Sequence, residues 1–192
     1  MYQYALPILN ERAGTGNPFF SVLLSISNHP PYVIPPYFHP HSDVLEEQIV
    51  EYADWSIRQF MQAAEKQPWF DNTIFVFLDD HGKMVGTPEC EMPQSYNHIP
   101  LMIYGKDIKP GVYDGFGGQV DVSPTLLGLL NISYLQNNFG VNLLEEERPC
   151  MFFTADNLIG ARDSVNMFIY SPDSQQEFKY KLEEGKLHAA TG

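Results

Sequence analysis

Asp80 and His81 are the residues of this chain best placed to do chemistry together. They close the stretch Asp71-Asn-Thr-Ile-Phe-Val-Phe-Leu-Asp-Asp-His-Gly82, in which a β-branched and aromatic run ends in two carboxylates, an imidazole and a glycine. That order predicts a buried strand over residues 73–78 that delivers polar groups at its C-terminal end. Neighbouring side chains on a strand point to opposite faces, so Asp80 and His81 can meet one ion only where the chain turns, and Gly82 makes a turn easy. A carboxylate oxygen and a neutral imidazole nitrogen ligate zinc or manganese without choosing between them. Asp79 would then support the pair from behind or cap a helix. The competing reading of Asp-Asp-His-Gly is a solvated loop.

Two further histidines follow or precede apolar runs. His29, in Ser27-Asn-His-Pro-Pro-Tyr32, comes after the run 19–26 as His81 comes after 73–78. Two such strand ends face one crevice in an α/β sheet, which makes His29 a candidate ligand or donor to an ester oxygen. A histidine bonded within a proline-stiffened loop is the alternative. His98 precedes the apolar run of Asn97-His-Ile-Pro-Leu-Met-Ile103, and a ligand, a phosphate-facing donor and a structural histidine are all open for it. His39 and His41 read as surface residues, and Cys90, with no histidine at a short ligand spacing, as a passive thiol.

The elements that must position these groups are legible in outline. Residues 1–18 read as an irregular N-terminal segment and 19–26 as a compact strand. Prolines 30, 31, 35, 36 and 40 exclude regular structure after it. Asp43 with Glu46 three residues on has capping-box spacing, and apolar residues recurring at three and four predict an amphipathic helix over 44–66. Strand, helix and strand make the crossover of a parallel sheet. A flexible excursion is expected after Gly82. The glycines between 111 and 118 lack the dinucleotide-binding order, and a helix should start with Ser123 as cap and Pro124 in its first turn. Runs 151–154, 167–171 and 177–182 are strand candidates, the last two joined by a Ser171-Pro-Asp-Ser turn into an antiparallel hairpin. The run 145–147 reads as exposed acid, and the tail from 183 as fraying. The fold class predicted is α/β, a mostly parallel sheet with flanking helices and a C-terminal antiparallel hairpin: 1–18 irregular, 19–145 the main domain, 146–192 a small strand region.

Composition bounds the partners. Eleven basic against 24 acidic residues give a net charge of −13, which argues against nucleic acid. Cys90 and Cys150 cannot make a disulfide scaffold. Neither a signal peptide nor an apolar run near 18 residues is present, which predicts a soluble chain.

Taken in order, Ser27 to Tyr32, Asp71 to Gly82, Asn97 to Ile103 and Asp121-Val-Ser-Pro-Thr-Leu-Leu127 resemble the sulfatase-like proteins of the alkaline phosphatase superfamily, nearest the bacterial lipoteichoic acid synthase and phosphoglycerol transferase branch. The resemblance implies an alkaline-phosphatase-like fold. It also implies a divalent metal, manganese or zinc, and a threonine or serine nucleophile that moves or hydrolyses a phosphate or sulfate ester. Asp80 and His81 match the metal-binding pair, His29 a histidine that contacts the ester, and His98 a polar position before the late strand. True sulfatases carry Asp-Asn where this chain has Asp80-His81, which favours phosphoryl transfer. No hydroxyl here lies in the family's nucleophile motif. The chain is therefore expected to be an incomplete, C-terminal portion, inactive alone, with self-association through an exposed sheet edge. Membrane attachment is expected only through segments not in this sequence, with the catalytic domain periplasmic or extracellular. A non-catalytic metal- or anion-binding module and a structural remnant are the alternatives.

Overall fold

The computed structural model describes residues 1–190. The chain divides into two units, Met1–Phe75 with Ile103–Ile108, and Val76–Met102 with Lys109 onward.

In the first unit the opening residues are a helix, α1 (Tyr2–Gly14), where the sequence reading expected an irregular segment. Pro7 lies inside it, and the helix is held instead by packing: Ala5 and Leu9 are buried, and Leu9 shares a core with Phe60, Ala64 and Trp69. The Trp69 indole N–H donates to the Asn10 side-chain oxygen at 2.7 Å, so the buried ring leaves no polar atom unpaired. Helix α2 (Leu45–Ala64) forms as its periodicity predicts, burying Ile49, Phe60 and Ala64. Its N-terminus differs from expectation. Val44 is the cap residue and no side chain caps the helix; just before it, the Ser42 hydroxyl accepts from Val44 N at 3.0 Å and donates to Glu47.

Residues 19–26 are a second departure. They enter no strand ladder, and Phe20, Val22, Leu24 and Ile26 are 84, 72, 76 and 80% exposed. A run with this alternation needs a paired neighbour to become a strand, and the described residues supply none.

Strand β1 (Phe75–Leu78) and strand β2 (Leu101–Tyr104) form a two-stranded sheet. They run antiparallel: Lys106, past β2, pairs with Asp71, before β1, and at the opposite end Gly82 N donates to Tyr96 O at 2.8 Å. The intervening residues contain only the four-residue helix α3 (Gln94–Asn97), so the chain turns back at the end where β1 stops and makes no crossover.

The second unit is dominated by a five-stranded sheet in sequence order, β3 (Met151–Ala155), β4 (Leu158–Arg162), β5 (Asn166–Ser171), β6 (Gln176–Glu183) and β7 (Lys186–Ala189), antiparallel at every pairing. The expectation of a mostly parallel sheet is thus corrected: the fold is α/β, with both sheets antiparallel. The Ser171 turn does join β5 to β6. Strands β4 and β7 were not anticipated, and where fraying from 183 was expected Glu183 and Lys186–Ala189 are paired, residues 191 and 192 lying outside the described residues. Both strands are made by two-residue turns with positive φ, Asp156-Asn157 at 48° and 63°, and Glu184-Gly185 at 49° and 77°. That is the geometry whose twist matches paired strands.

One face of this sheet is closed by the segment after β1. Cys90 and Met92 are buried with Met167 and Ile169, so the excursion past Gly82 is anchored by its own apolar residues. Helix α4 starts earlier than expected and spans Gln119–Leu129, with Gly118 as cap and Pro124 inside.

Candidate functional site

The site is assembled in the second unit, at the end of β1. Asp80 and His81 leave the strand together. One Asp80 oxygen accepts the His81 backbone N–H at 2.9 Å, which leaves the other, Oδ2, open. The His81 ring presents Nδ1 to the Gly82 carbonyl at 2.7 Å. A carbonyl only accepts, so Nδ1 carries the proton, and in the neutral ring Nε2 carries the lone pair. Backbone capture of one ring nitrogen is the arrangement that orients metal-ligating histidines.

The two open atoms, Asp80 Oδ2 and His81 Nε2, lie 3.9 Å apart, with the side chains 80 and 53% exposed. Two ligands each about 2.1 Å from one tetrahedral ion stand about 3.4 Å apart. The pair therefore fits a shared divalent cation after closing by about half an ångström. Among the described residues no cluster of three or more His, Cys, Asp or Glu side chains is arranged to hold a metal.

Two side chains outside the sequence reading's candidates hold this stretch. The Tyr96 ring stacks on His81 with centroids 4.9 Å apart and planes at 25°. The Gln119 amide nitrogen donates to the carbonyls of Asp79 and Asp80 at 3.2 and 2.8 Å. Asp79, expected as an outer support or helix cap, contributes its carbonyl to this clamp. Gly82 is required where it stands, because a Cβ there would collide with the Ser95 carbonyl. Tyr96 was visible only as part of a strand-preceding segment. Gln119 was hidden because the helix start was placed at Ser123.

The other candidates are located as follows. His98 is exposed at the C-cap of α3, where its backbone N–H donates to Gln94 O at 2.7 Å. Among the described residues no hydrogen bond joins it to Asp80 or His81. His29 belongs to the first unit, is exposed, and directs Nδ1 to the Pro30 carbonyl at 2.8 Å. By the argument used for His81, its Nδ1 carries the proton, so Nε2 donates only when the ring is an imidazolium.

The sulfatase family profile matches residues 1–132. The chain belongs to the sulfatase family. Lipoteichoic acid synthase 1 of Bacillus subtilis is 25% identical to this sulfatase-family chain, over 88% of the chain and 30% of the relative. The choline-sulfatase of Rhizobium meliloti is 29% identical over 56% of the chain and 22% of the relative. A crystal structure of a protein in the alkaline phosphatase superfamily from Vibrio parahaemolyticus superposes with a TM-score of 0.86 at 24% identity, over the whole chain and 48% of that structure. At that identity the likeness shows the fold alone. The chain spans at most 30% of the length of these curated relatives.

The match also corrects the expected placement within the family. The separated motifs predict a C-terminal portion whose likeness begins near residue 20. The family segment instead starts at residue 1 and ends at 132, the N-terminal and middle part of this chain. The physical counterpart is α1, whose buried Ala5 and Leu9 make the opening residues part of the structure. Among the described residues no helix is long and apolar enough to cross a membrane.

Proposed function

We propose that this sulfatase-family chain contributes the cation-holding pair of a metal-dependent hydrolase or transferase acting on phosphate or sulfate esters, most nearly of the phosphoglycerol-transferase type. The observation that carries the reading is the state of Asp80 and His81. Each has one polar atom tied to the local backbone and one open atom, and the open atoms lie 3.9 Å apart. Bound there, a manganese or zinc ion would supply Lewis acidity to an ester oxygen and counter-charge as that oxygen becomes negative. Asp80 and His81 would hold the cation. His98 is a further candidate contact. The carboxylate and imidazole side by side favour a phosphate over a sulfate ester, on the resemblance described above. In the whole protein, catalysis would face the periplasm or cell exterior, with the membrane reached through other segments.

Elemental analysis of the purified chain tests this. A stoichiometric transition metal, lost in both Asp80→Ala and His81→Ala with the fold retained, is expected. Absence of metal from the unaltered chain after incubation with manganese or zinc would overturn the reading in favour of a structural role. For the 192 residues alone we expect binding without measurable turnover of p-nitrophenyl phosphate or sulfate, since two ligands and no nucleophile motif do not complete the covalent chemistry.

A further inference from the structure

Residues 79–81 are exposed and Gly82 is half-buried, yet the stretch is held from three directions. Before the pair, the Gln119 amide spans two successive carbonyls, those of Asp79 and Asp80. Both partners only accept, so the group facing them must be the NH2 and each hydrogen has its own acceptor. On the pair, the Tyr96 ring covers one face of the His81 imidazole. After the pair, Gly82 N donates to Tyr96 O at 2.8 Å.

Each support is itself fixed. Gln119 is the first residue of α4, and the start of α4 is held by Asp121, which is fully buried. Asp121 accepts from Gly118 N at 2.8 Å, from Val141 N at 2.8 Å, and from the Arg148 guanidinium. Tyr96 lies in α3, whose first residue, Gln94, takes the Arg162 guanidinium of β4 on its side-chain oxygen at 2.7 Å and gives its backbone N–H to Glu89 at 2.7 Å. Two independently anchored helices therefore converge on four loop residues. A solvated loop has no need of either contact.

We propose that Gln119 and Tyr96 are positioning residues for the Asp80–His81 pair: Gln119 sets the path of the backbone that carries both ligands, and Tyr96 sets the plane of the imidazole, so that Oδ2 and Nε2 stay directed at one point. The proposal rests on the reading of this pair as a cation site and adds the groups that orient it. Partners that orient metal ligands influence affinity about 10- to 100-fold.

The experiment uses the full chain and reads it both without and with metal. In the metal-free protein at fixed pH, the His81 ring protons, identified by their loss in His81→Ala, are expected upfield of those of exposed histidines, because an aromatic face shields what stacks on it. Tyr96→Leu should abolish that displacement and Tyr96→Phe preserve it. Gln119→Met should move the amide nitrogen signals of Asp80 and His81, which follow the two carbonyls it releases. In calorimetric titrations with Mn2+ and, separately, Zn2+, Tyr96→Leu and Gln119→Met should each weaken binding about 10-fold or more, while Tyr96→Phe stays within about twofold. Unshielded His81 protons in the unaltered chain would overturn the role of Tyr96. Unmoved Asp80 and His81 amides in Gln119→Met would overturn that of Gln119, and affinity unchanged in both variants would overturn the positioning claim itself. Failure of the unaltered chain to bind either ion would remove the cation reading, and the metal-free signals would still decide whether the two contacts order the loop.

Discussion

Glu51 shows how one side chain on α2 organises the chain that precedes it. Its carboxylate accepts the backbone N–H groups of His41 and Ser42 at 2.7 and 3.0 Å, and the His41 ring lies 3.2 Å away. Those hydrogen bonds, the His41 backbone first, hold the acid below its ordinary value of 4.5. A carboxylate whose folded pKa is lowered stabilises the fold above its unfolded pKa, and the contribution disappears as pH falls through the folded value. Glu51→Gln is therefore expected to lower Tm at neutral pH and to leave the variant and the unaltered chain alike once both are measured well below pH 4.5. A difference that persists undiminished into strong acid would contradict this.

Asp121 acts at the scale of an element. It is 0% exposed, and its partner Arg148 is 17% exposed, so the pair joins the first turn of α4 to the segment before β3 with little access to water. Removing one member leaves the other charge without compensation, and Asp121→Ala is expected to cost about 3–5 kcal/mol in chemical denaturation. The same variant frees the start of α4 and so should loosen the Gln119 clamp.

Gly160 plays a corresponding part in the five-stranded sheet. It lies opposite Phe153 in the β3–β4 register, and a Cβ there would stand 2.7 Å from two atoms of that ring and 3.1 Å from the Met92 sulfur. The glycine is what lets the aromatic ring lie across β4. Gly160→Val should cost about 1–3 kcal/mol by overpacking, read as a lower denaturant midpoint with unchanged slope.

For the whole molecule, the telling feature is the run 19–26, which enters no strand ladder and leaves alternate apolar side chains in water. Such a segment offers both unpaired backbone groups and apolar surface to any strand it meets. We expect concentration-dependent self-association, seen as a rising sedimentation coefficient across a dilution series. Lysine at Val22 and Leu24 should suppress it without lowering helix content. A chain that stays monomeric throughout would remove this expectation.

What the sequence determined by itself was local. The period of 45–64 specified α2, the turn residues at 171–174 specified the β5–β6 hairpin, and the order of residues 73–82 placed Asp80 and His81 at a strand end, because spacing and backbone preference are written in neighbouring residues. The separated motifs were enough to indicate the family. Tertiary structure decided what depends on distant partners. Pairing direction followed from where the chain turned back after β1, and the fate of 19–26 from the lack of a neighbour. α1 owes its place to packing on Phe60 and Trp69, since its proline gives no local reason for a helix. Gln119 reaches Asp80 across 39 residues and Arg148 reaches Asp121 across 27, and neither contact leaves a local pattern, because a hydrogen bond depends on separation in space.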